Sequence, residues 1–475
     1  MPSSAFGIAN FGTLGSSNAL GMADENENEI TPALWNGELV EYRQDRIAKS
    51  AFQSSLEEEE KSPNQAGNVT SAVDDKQAIR YWSDFSRVYF LPRTLQKIPD
   101  PPEWEIASVD WNQGQELFTR FNEETELMDG TLRLFVEDCD NIQGVQILND
   151  TDTFGSFMGS FFASFRDEYL KLPSFSFPIL SGPISDRDEV SILLAYCNIL
   201  INRFQTERTR KLVNEAMYLR TLNEFSSMNV PIEDPKLWPN SVWGAPLNFP
   251  STSLYHQSAV LSAHVETCTL PFRYFLITSR SCDILINNRL NRNRYDIPSV
   301  SGHLSWRGTS PFAELSGLFP LTKFTREIVN FSFDTPTKSP YALWDVTRGL
   351  SPKKIEEYDT WSQGDQDDIL FRIPSDLQSS VHASAFPLPN SFPEFHNTEE
   401  VEKKKNPETV EVYSSLSSSS NTSKIFEKYA LFIETCIKRR TTSTASIDIH
   451  LDDLKDLAND LWTMHDNSSE DNGEL

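Results

Sequence analysis

Cysteine, histidine, positive charge and long apolar runs are all scarce in this chain of 475 residues. The five cysteines, Cys139, Cys197, Cys268, Cys282 and Cys436, are odd in number, widely spaced and form no CxxC pair. They read as reduced, mostly buried cytosolic thiols rather than a disulfide framework. The longest apolar stretches, near "SILLAYCNILI" and "FGSFMGSFFASF", fall well short of the roughly 20 residues a bilayer demands. No Lys or Arg precedes Arg43 and the chain is acidic by Asp24, so neither a signal peptide nor a mitochondrial presequence is expected. With 42 basic against 69 acidic residues the net charge is −27, which repels nucleic acid and anionic membrane surfaces and favours a basic partner.

What is present is the material of a large core. Hydrophobic residues make up 38% of the chain and aromatics 11%, which points to folded domains rather than disorder. Residues 1–75 combine a Gly- and Ser-rich start with acidic, turn-rich segments and read as a remnant followed by a flexible acidic loop. From "AIRYWSDFSRVYF" aromatics become dense, with Tyr81, Trp82, Phe85, Val88 and Tyr89 at helical spacing.

Further on, "GQELFTRFNEETELMDGTLRLFVEDCD" places Leu117, Phe118, Phe121, Leu127, Leu132 and Phe135 on one helical stripe. A strand "IQGVQIL", a helix "GSFMGSFFASFRDEYL" and a strand "SFSFPIL" then give β-loop-α-β order, the mark of a parallel sheet. "EVSILLAYCNILINRFQ" reads as a buried helix, and "SLYHQSAVLSAHVET" as a helix to about Thr267 followed by a strand. The expected divisions are 76–250 for an α/β domain, 251–423 for a second α+β domain with a charged loop near 396–408, and 424–475 for C-terminal helices with an acidic tail.

The stretch "NDTDTFGSFMG" invites a chemical reading. A strand, a small-residue turn and a helix start is the order of a phosphate-cradling loop, and Thr153, Gly155, Ser156 and Gly159 are its candidate residues. Phe154 and Phe157 are bulky where backbone should approach an anion, and Asp150 and Asp152 would stand beside the phosphates. The expectation is a degenerate, structural turn.

The order "DWNQGQELF…FVEDCDNIQGVQIL…FGSFMGSFFASFRDEY" resembles the nucleotide domain of tubulin, and "SLSSSSNTSKIFEKYALFIETCIKRR" resembles the end of tubulin's second domain and its penultimate helix. "RYWSDFSRVYFLPRTL", "HQSAVLSAHVETCTLPFR" and the early "FGIANFGTLGSSNAL" resemble the Misato family of tubulin-like proteins. The resemblance covers most of 75–285 and 405–465. It implies a tubulin-like α/β fold: a mostly parallel, nucleotide-type sheet domain, a smaller α+β domain and C-terminal helices. It also implies a role in mitochondrial distribution, morphology and mitochondrial DNA inheritance, exercised through protein contacts in the cytoplasm and peripherally on the outer face of the mitochondrion. Tubulin and the ring chaperonin are the expected partners, with no direct nucleic-acid contact.

The family's first strand and Gln-bearing nucleotide turn have no counterpart at the start of this chain; either the sequence is truncated there or the element is missing. In tubulin-like polymers, acidic residues at the start of the helix before "VPFPR" serve GTP hydrolysis; Ser258, Ala259 and Val260 occupy the matching place, and none activates water. Glu266, two turns on, reads as a surface or capping residue. The chain is therefore expected not to be an enzyme and to need no cofactor. The alternatives are a GTP-binding, tubulin-like assembly protein and a binding module for tubulin or the chaperonin. His256 and His264, eight apart on one helix, are about 12 Å apart along its axis and too distant for one metal. Trp82, Asp84 and Arg87 in "YWSDFSR" form the candidate partner contact.

Overall fold

The computed structural model describes residues 5–7, 54, 95–98, 110–140, 142–182, 198–243, 247–273, 285–287, 296–305, 310–325, 328–332, 340–363, 378–389, 391–393, 408–439 and 449–469. The chain divides into two units, 1–100 and 101–475. In the first, β1 (Ala5–Gly7) pairs antiparallel with β2 (Leu95–Lys97). The segment 76–90 with Trp82, Asp84 and Arg87, the charged loop near 396–408 and nearly all of 1–75 lie outside the described residues.

The second unit begins with α1 (Trp111–Thr125), a π-helical turn (Leu127–Leu132) and α2 (Arg133–Glu137). The single stripe expected here is interrupted. Glu126 adopts φ 51° in the left-handed region and caps α1, its N–H donating to the Asn122 carbonyl at 2.9 Å. The Asn122 side chain accepts the Met128 N–H, also at 2.9 Å, so the chain restarts in a wider turn. Leu117, Phe118, Phe121, Leu127, Leu132 and Phe135 are all buried nonetheless.

Strand β3 (Val145–Asp150) runs straight into α3 (Thr151–Glu168), and β4 (Ser174–Leu180) follows. Helix α4 (Asn198–Phe225) leads to the short strands β5 (Met228–Asn229) and β6 (Ile232–Glu233). All pairings among these four strands are parallel, in the order β3-β4-β5 with β6 also on β4. Helix α3 lies against both α1 and α4 because Phe157, Phe161, Phe162 and Phe165 recur at helical spacing and are buried.

Helix α5 (Leu254–Arg273) is six residues longer than the sequence reading allowed, and Pro271 lies inside its last turn. Burial of Cys268, Leu270 and Phe272 outweighs the backbone hydrogen bond that proline removes. Then come β7 (Leu285–Asn287), α6 (Ile297–Leu304), β8 (Glu314–Leu318), β9 (Val329–Asn330), β10 (Ala342–Arg348), α7 (Pro352–Gln363) and β11 (Gln378–Ala383). The small pair β12 (Phe386–Pro387) and β13 (Thr409–Val410) precedes β14 (Val412–Ser418). The resulting six-stranded sheet has the order β7-β11-β10-β14-β8-β9, parallel only between β10 and β11.

The serine run belongs to β14 itself, with Ser414, Ser415, Ser417 and Ser418 buried. Ser419 then accepts the Asn421 N–H at 3.0 Å and caps the start of α8 (Asn421–Arg439). Helix α9 (Leu451–Ser468) forms a hairpin with α8 and also packs on α4. One apolar core links the two sheets through α5, taking in Phe175, Val260, Cys268, Trp344 and Leu416. Among the described thiols, Cys139 and Cys268 are free, and no described helix is long and apolar enough to cross a membrane.

Close packing of α1 on α3 requires small residues. A Cβ on Gly114 would meet the Ser156 Oγ at 1.8 Å and its Cβ at 2.6 Å, whereas a Cβ on Gly302 of α6 would meet nothing within 4 Å. Gly114→Ala is expected to lower unfolding stability by about 1–3 kcal/mol through overpacking. Gly302→Ala is expected to leave it unchanged or raise it by up to about 1 kcal/mol. Urea unfolding of the two variants measures both.

Candidate functional site

The anticipated turn between β3 and α3 is helix. Asp150 ends the strand and is the N-cap residue of α3, whose first turn is Thr151–Phe154. Its carboxylate accepts the Asp152 N–H at 3.1 Å and the Thr153 hydroxyl at 2.8 Å. The positive end of the helix, where an anion would sit, is thus met by the chain's own carboxylate. Asp152 adds a second negative charge to the first turn and is bound by Lys211 of α4.

The glycines are in the same helix. Gly155, Ser156 and Gly159 are buried. A Cβ on Gly159 would come within 2.9 Å of the Trp111 ring, and one on Gly155 would make ordinary contact with Tyr218 at 3.8 Å. The small size of Gly159 lets α3 pack closely against α1. Of the four predicted loop residues, Thr153 alone makes a hydrogen bond at the helix start, and it donates to Asp150. Phe157, read as an obstacle to an anion, packs edge-on against Phe118 with ring centroids 5.2 Å apart.

Helix α4 organises this junction with three side chains on one stripe, at i, i+4 and i+7. Lys211 holds Asp152, Glu215 lies 3.4 Å from the Thr151 hydroxyl, which donates to the Ile179 carbonyl at 2.5 Å, and the Tyr218 hydroxyl donates to the Asn149 side chain at 3.0 Å. Glu215 is wholly buried. It also accepts the Ser181 N–H at 2.7 Å, the Ser181 hydroxyl at 2.6 Å and the Tyr429 hydroxyl of α8 at 2.5 Å. Burial pushes its carboxyl above the ordinary range, and the bonds from Ser181 and Tyr429 pull it partly back. In sequence Glu215 reads as an ordinary helix glutamate. The available signal was its place on an apolar stripe with Leu212, Leu219 and Leu222 at i−3, i+4 and i+7.

On α5, Ala259 and Val260 are buried, and the exposed Ser258 hydroxyl donates back to the Tyr255 carbonyl at 3.0 Å. Glu266 is more than a surface residue. It accepts from Arg348 at 3.3 Å, and that guanidinium, nearly buried, also donates to the Ser384 and Ala385 carbonyls. His256 meets the Ser253 hydroxyl at 2.7 Å, while His264 meets that of Ser414 at 2.9 Å and lies against Phe331 with centroids 4.4 Å apart. Burial lowers the His264 imidazole to about 3, so it is neutral near pH 7.

Two tests follow from the buried carboxylate. Tyr429→Phe removes a hydroxyl donor to it and is expected to cost roughly 1.5–3 kcal/mol in urea unfolding. Because the folded Glu215 holds its proton more tightly than the unfolded one, its contribution to stability falls as pH rises from the ordinary carboxylate range towards its raised folded value. Glu215→Gln is expected to flatten that fall when unfolding free energy is measured across the same pH series; an unchanged slope would contradict the assignment.

The "Tubulin domain" family model matches residues 72–274, which include the β3–α3 junction and α5. The chain is 33% identical over 270 residues to Protein DML1 of Gibberella zeae, covering 55% of this chain and 47% of that one. It is 26% identical over 427 residues to Protein dml1 of Aspergillus clavatus, covering 87% and 77%. To Protein misato of Drosophila melanogaster it is 28% identical over 204 residues, covering 40% and 32%. The chain thus spans about half the length of the Gibberella relative and about three quarters of the Aspergillus clavatus one. Parallel strands alternating with helices, the tubulin-domain match and these relatives together support a tubulin-like member of the Dml1/Misato family.

Proposed function

We propose that this chain is a non-catalytic member of its family, acting through protein contacts in mitochondrial distribution, morphology and mitochondrial DNA inheritance. It would work from the cytoplasm and the outer face of the mitochondrion, with tubulin and the ring chaperonin as partners. The mitochondrial role and these partners come from the family resemblance. Support for the non-catalytic reading comes from the start of α3, where the Asp150 carboxylate already accepts the Asp152 N–H and the Thr153 hydroxyl. A triphosphate there would displace that cap and face two carboxylates. At 4 Å each unit-charge pair opposes binding by about 4 kcal/mol at an effective dielectric constant near 20. The residues on α5 point the same way, since Ser258, Ala259 and Val260 offer no carboxylate to a neighbouring subunit.

The rival reading, a GTP-binding protein that assembles like tubulin, draws on the parallel β3-β4-β5 sheet, which keeps the architecture of a nucleotide domain. Mass spectrometry of the small molecules released on denaturing the purified protein separates the two. No stoichiometric guanine nucleotide is expected; one equivalent of GTP or GDP per chain would favour the rival. Organelle fractionation beside affinity capture tests the location. Recovery with mitochondria supports the proposal, and tubulin capture without mitochondria contradicts its mitochondrial part.

A further inference from the structure

A second feature lies beyond the other end of α3. Val136 of α2, Ile142 before β3, and Tyr169, Leu170, Lys171 and Leu172 after α3 line a shallow groove of about 420 Å³. Leu170 is 72% exposed, the highest value among the described large hydrophobic side chains. Its backbone is fixed. The Arg166 guanidinium donates to the carbonyls of Leu170 at 3.2 Å, Leu172 at 3.0 Å and Phe225 at 3.0 Å, and the Leu172 N–H closes a turn on the Tyr169 carbonyl at 3.1 Å. The leucine is therefore presented on a preformed loop, and little ordering cost attends a partner's arrival.

The rim is negative. Asp129, Glu137 and Glu168 lie close enough to raise the Tyr169 phenol, behind the larger effect of desolvation, and Asp138 and Asp140 flank Cys139 between α2 and Ile142. Of the nearby cations, Arg133 is paired with Glu137 at 2.8 Å, Arg166 is turned to backbone carbonyls, and the exposed Lys171 of the lining is outnumbered by Asp129, Glu168, Asp138 and Asp140. An apolar floor inside an acidic rim disfavours an anionic bilayer. It also disfavours a second copy of a chain whose net charge is −27, because like rims would meet. It complements a segment with apolar residues on one face and Lys or Arg on the other.

We propose that this groove docks a basic amphipathic helix of a partner protein, with apolar side chains against Leu170, Ile142 and Val136 and cations over the surrounding carboxylates. The proposal deepens the contact-making role above and is independent of whether nucleotide binds at the opposite end of α3.

The test uses the full chain and fluorescein-labelled model peptides made of Leu and Lys, read by anisotropy at physiological salt. One peptide has its leucines on a single helical face, a second is its scramble of equal charge, and a third replaces Lys by Glu. The first is expected to bind at least tenfold more tightly than the other two. Leu170→Ser and Ile142→Ser, which change no charge, are each expected to weaken it about tenfold, as loss of a buried aliphatic contact implies. Leu451→Ser, at a half-exposed leucine of α9, is the control and is expected to have no effect. Because Leu170 is largely solvated, its variant should unfold at the wild-type temperature. Equal binding of the amphipathic peptide to wild type and Leu170→Ser, or no binding at all, would overturn the proposal. So would sedimentation showing a dimer that Leu170→Ser abolishes, since the occupant would then be a second copy.

Discussion

The Glu215 carboxylate sits where three parts of the molecule meet, with the Thr151 hydroxyl on one side, the Ser181 backbone and hydroxyl on another, and the Tyr429 hydroxyl on a third. A carboxylate out of water is expensive unless donors surround it. Each of these groups belongs to a different part of the fold: the first turn of α3, the residue after β4 and the middle of α8. Arranging them around one group fixes the entry of α3, the exit of the parallel sheet and the dock of the C-terminal helix together. Lys211 and Tyr218, one turn to either side on α4, extend that grip to Asp152 and Asn149. Much of what distinguishes this junction from a phosphate loop follows from α4 holding it in place.

The same helix end shows how a strand-to-helix junction is closed by its own chain. A parallel strand leading directly into a helix offers free N–H groups and a positive dipole end, which attract any anion. In this chain Asp150 supplies the anion, so the local electrostatics are satisfied without a ligand. Gly159, which in a loop would admit a phosphate, instead allows Trp111 to approach α3. The aromatic bulk then falls into place, with Phe157 and Phe161 each edge-on to Phe118.

Much of the fold was legible in the residues because periodicity reports burial. The phenylalanines of α3 and the apolar stripe of α1 announced buried helices, and β-α-β order announced a parallel sheet. Local backbone chemistry was harder to read. Nothing in "DTDTFGSF" distinguishes a turn from a capped helix start until Asp150 is seen accepting the Asp152 N–H, and nothing in "NEETELMDG" marks Glu126 as left-handed. Long-range polar pairs were invisible for another reason. Glu215 with Tyr429, and Glu266 with Arg348, are far apart in sequence, and each carboxylate alone looks like an ordinary solvated helix residue. Helix α5 runs past Thr267 because burial of the residues around Pro271 overrides proline's tendency to end a helix.

The account rests on the claim that the start of α3 is closed by the protein's own side chains. The most direct measurement is a diffraction map from crystals soaked in magnesium and GTP, viewed at the amides of Thr151, Asp152 and Thr153. The account predicts the Asp150 carboxylate still on the Asp152 N–H and no phosphate density beside it. Continuous triphosphate density on those amides, with Asp150 swung away, would contradict it.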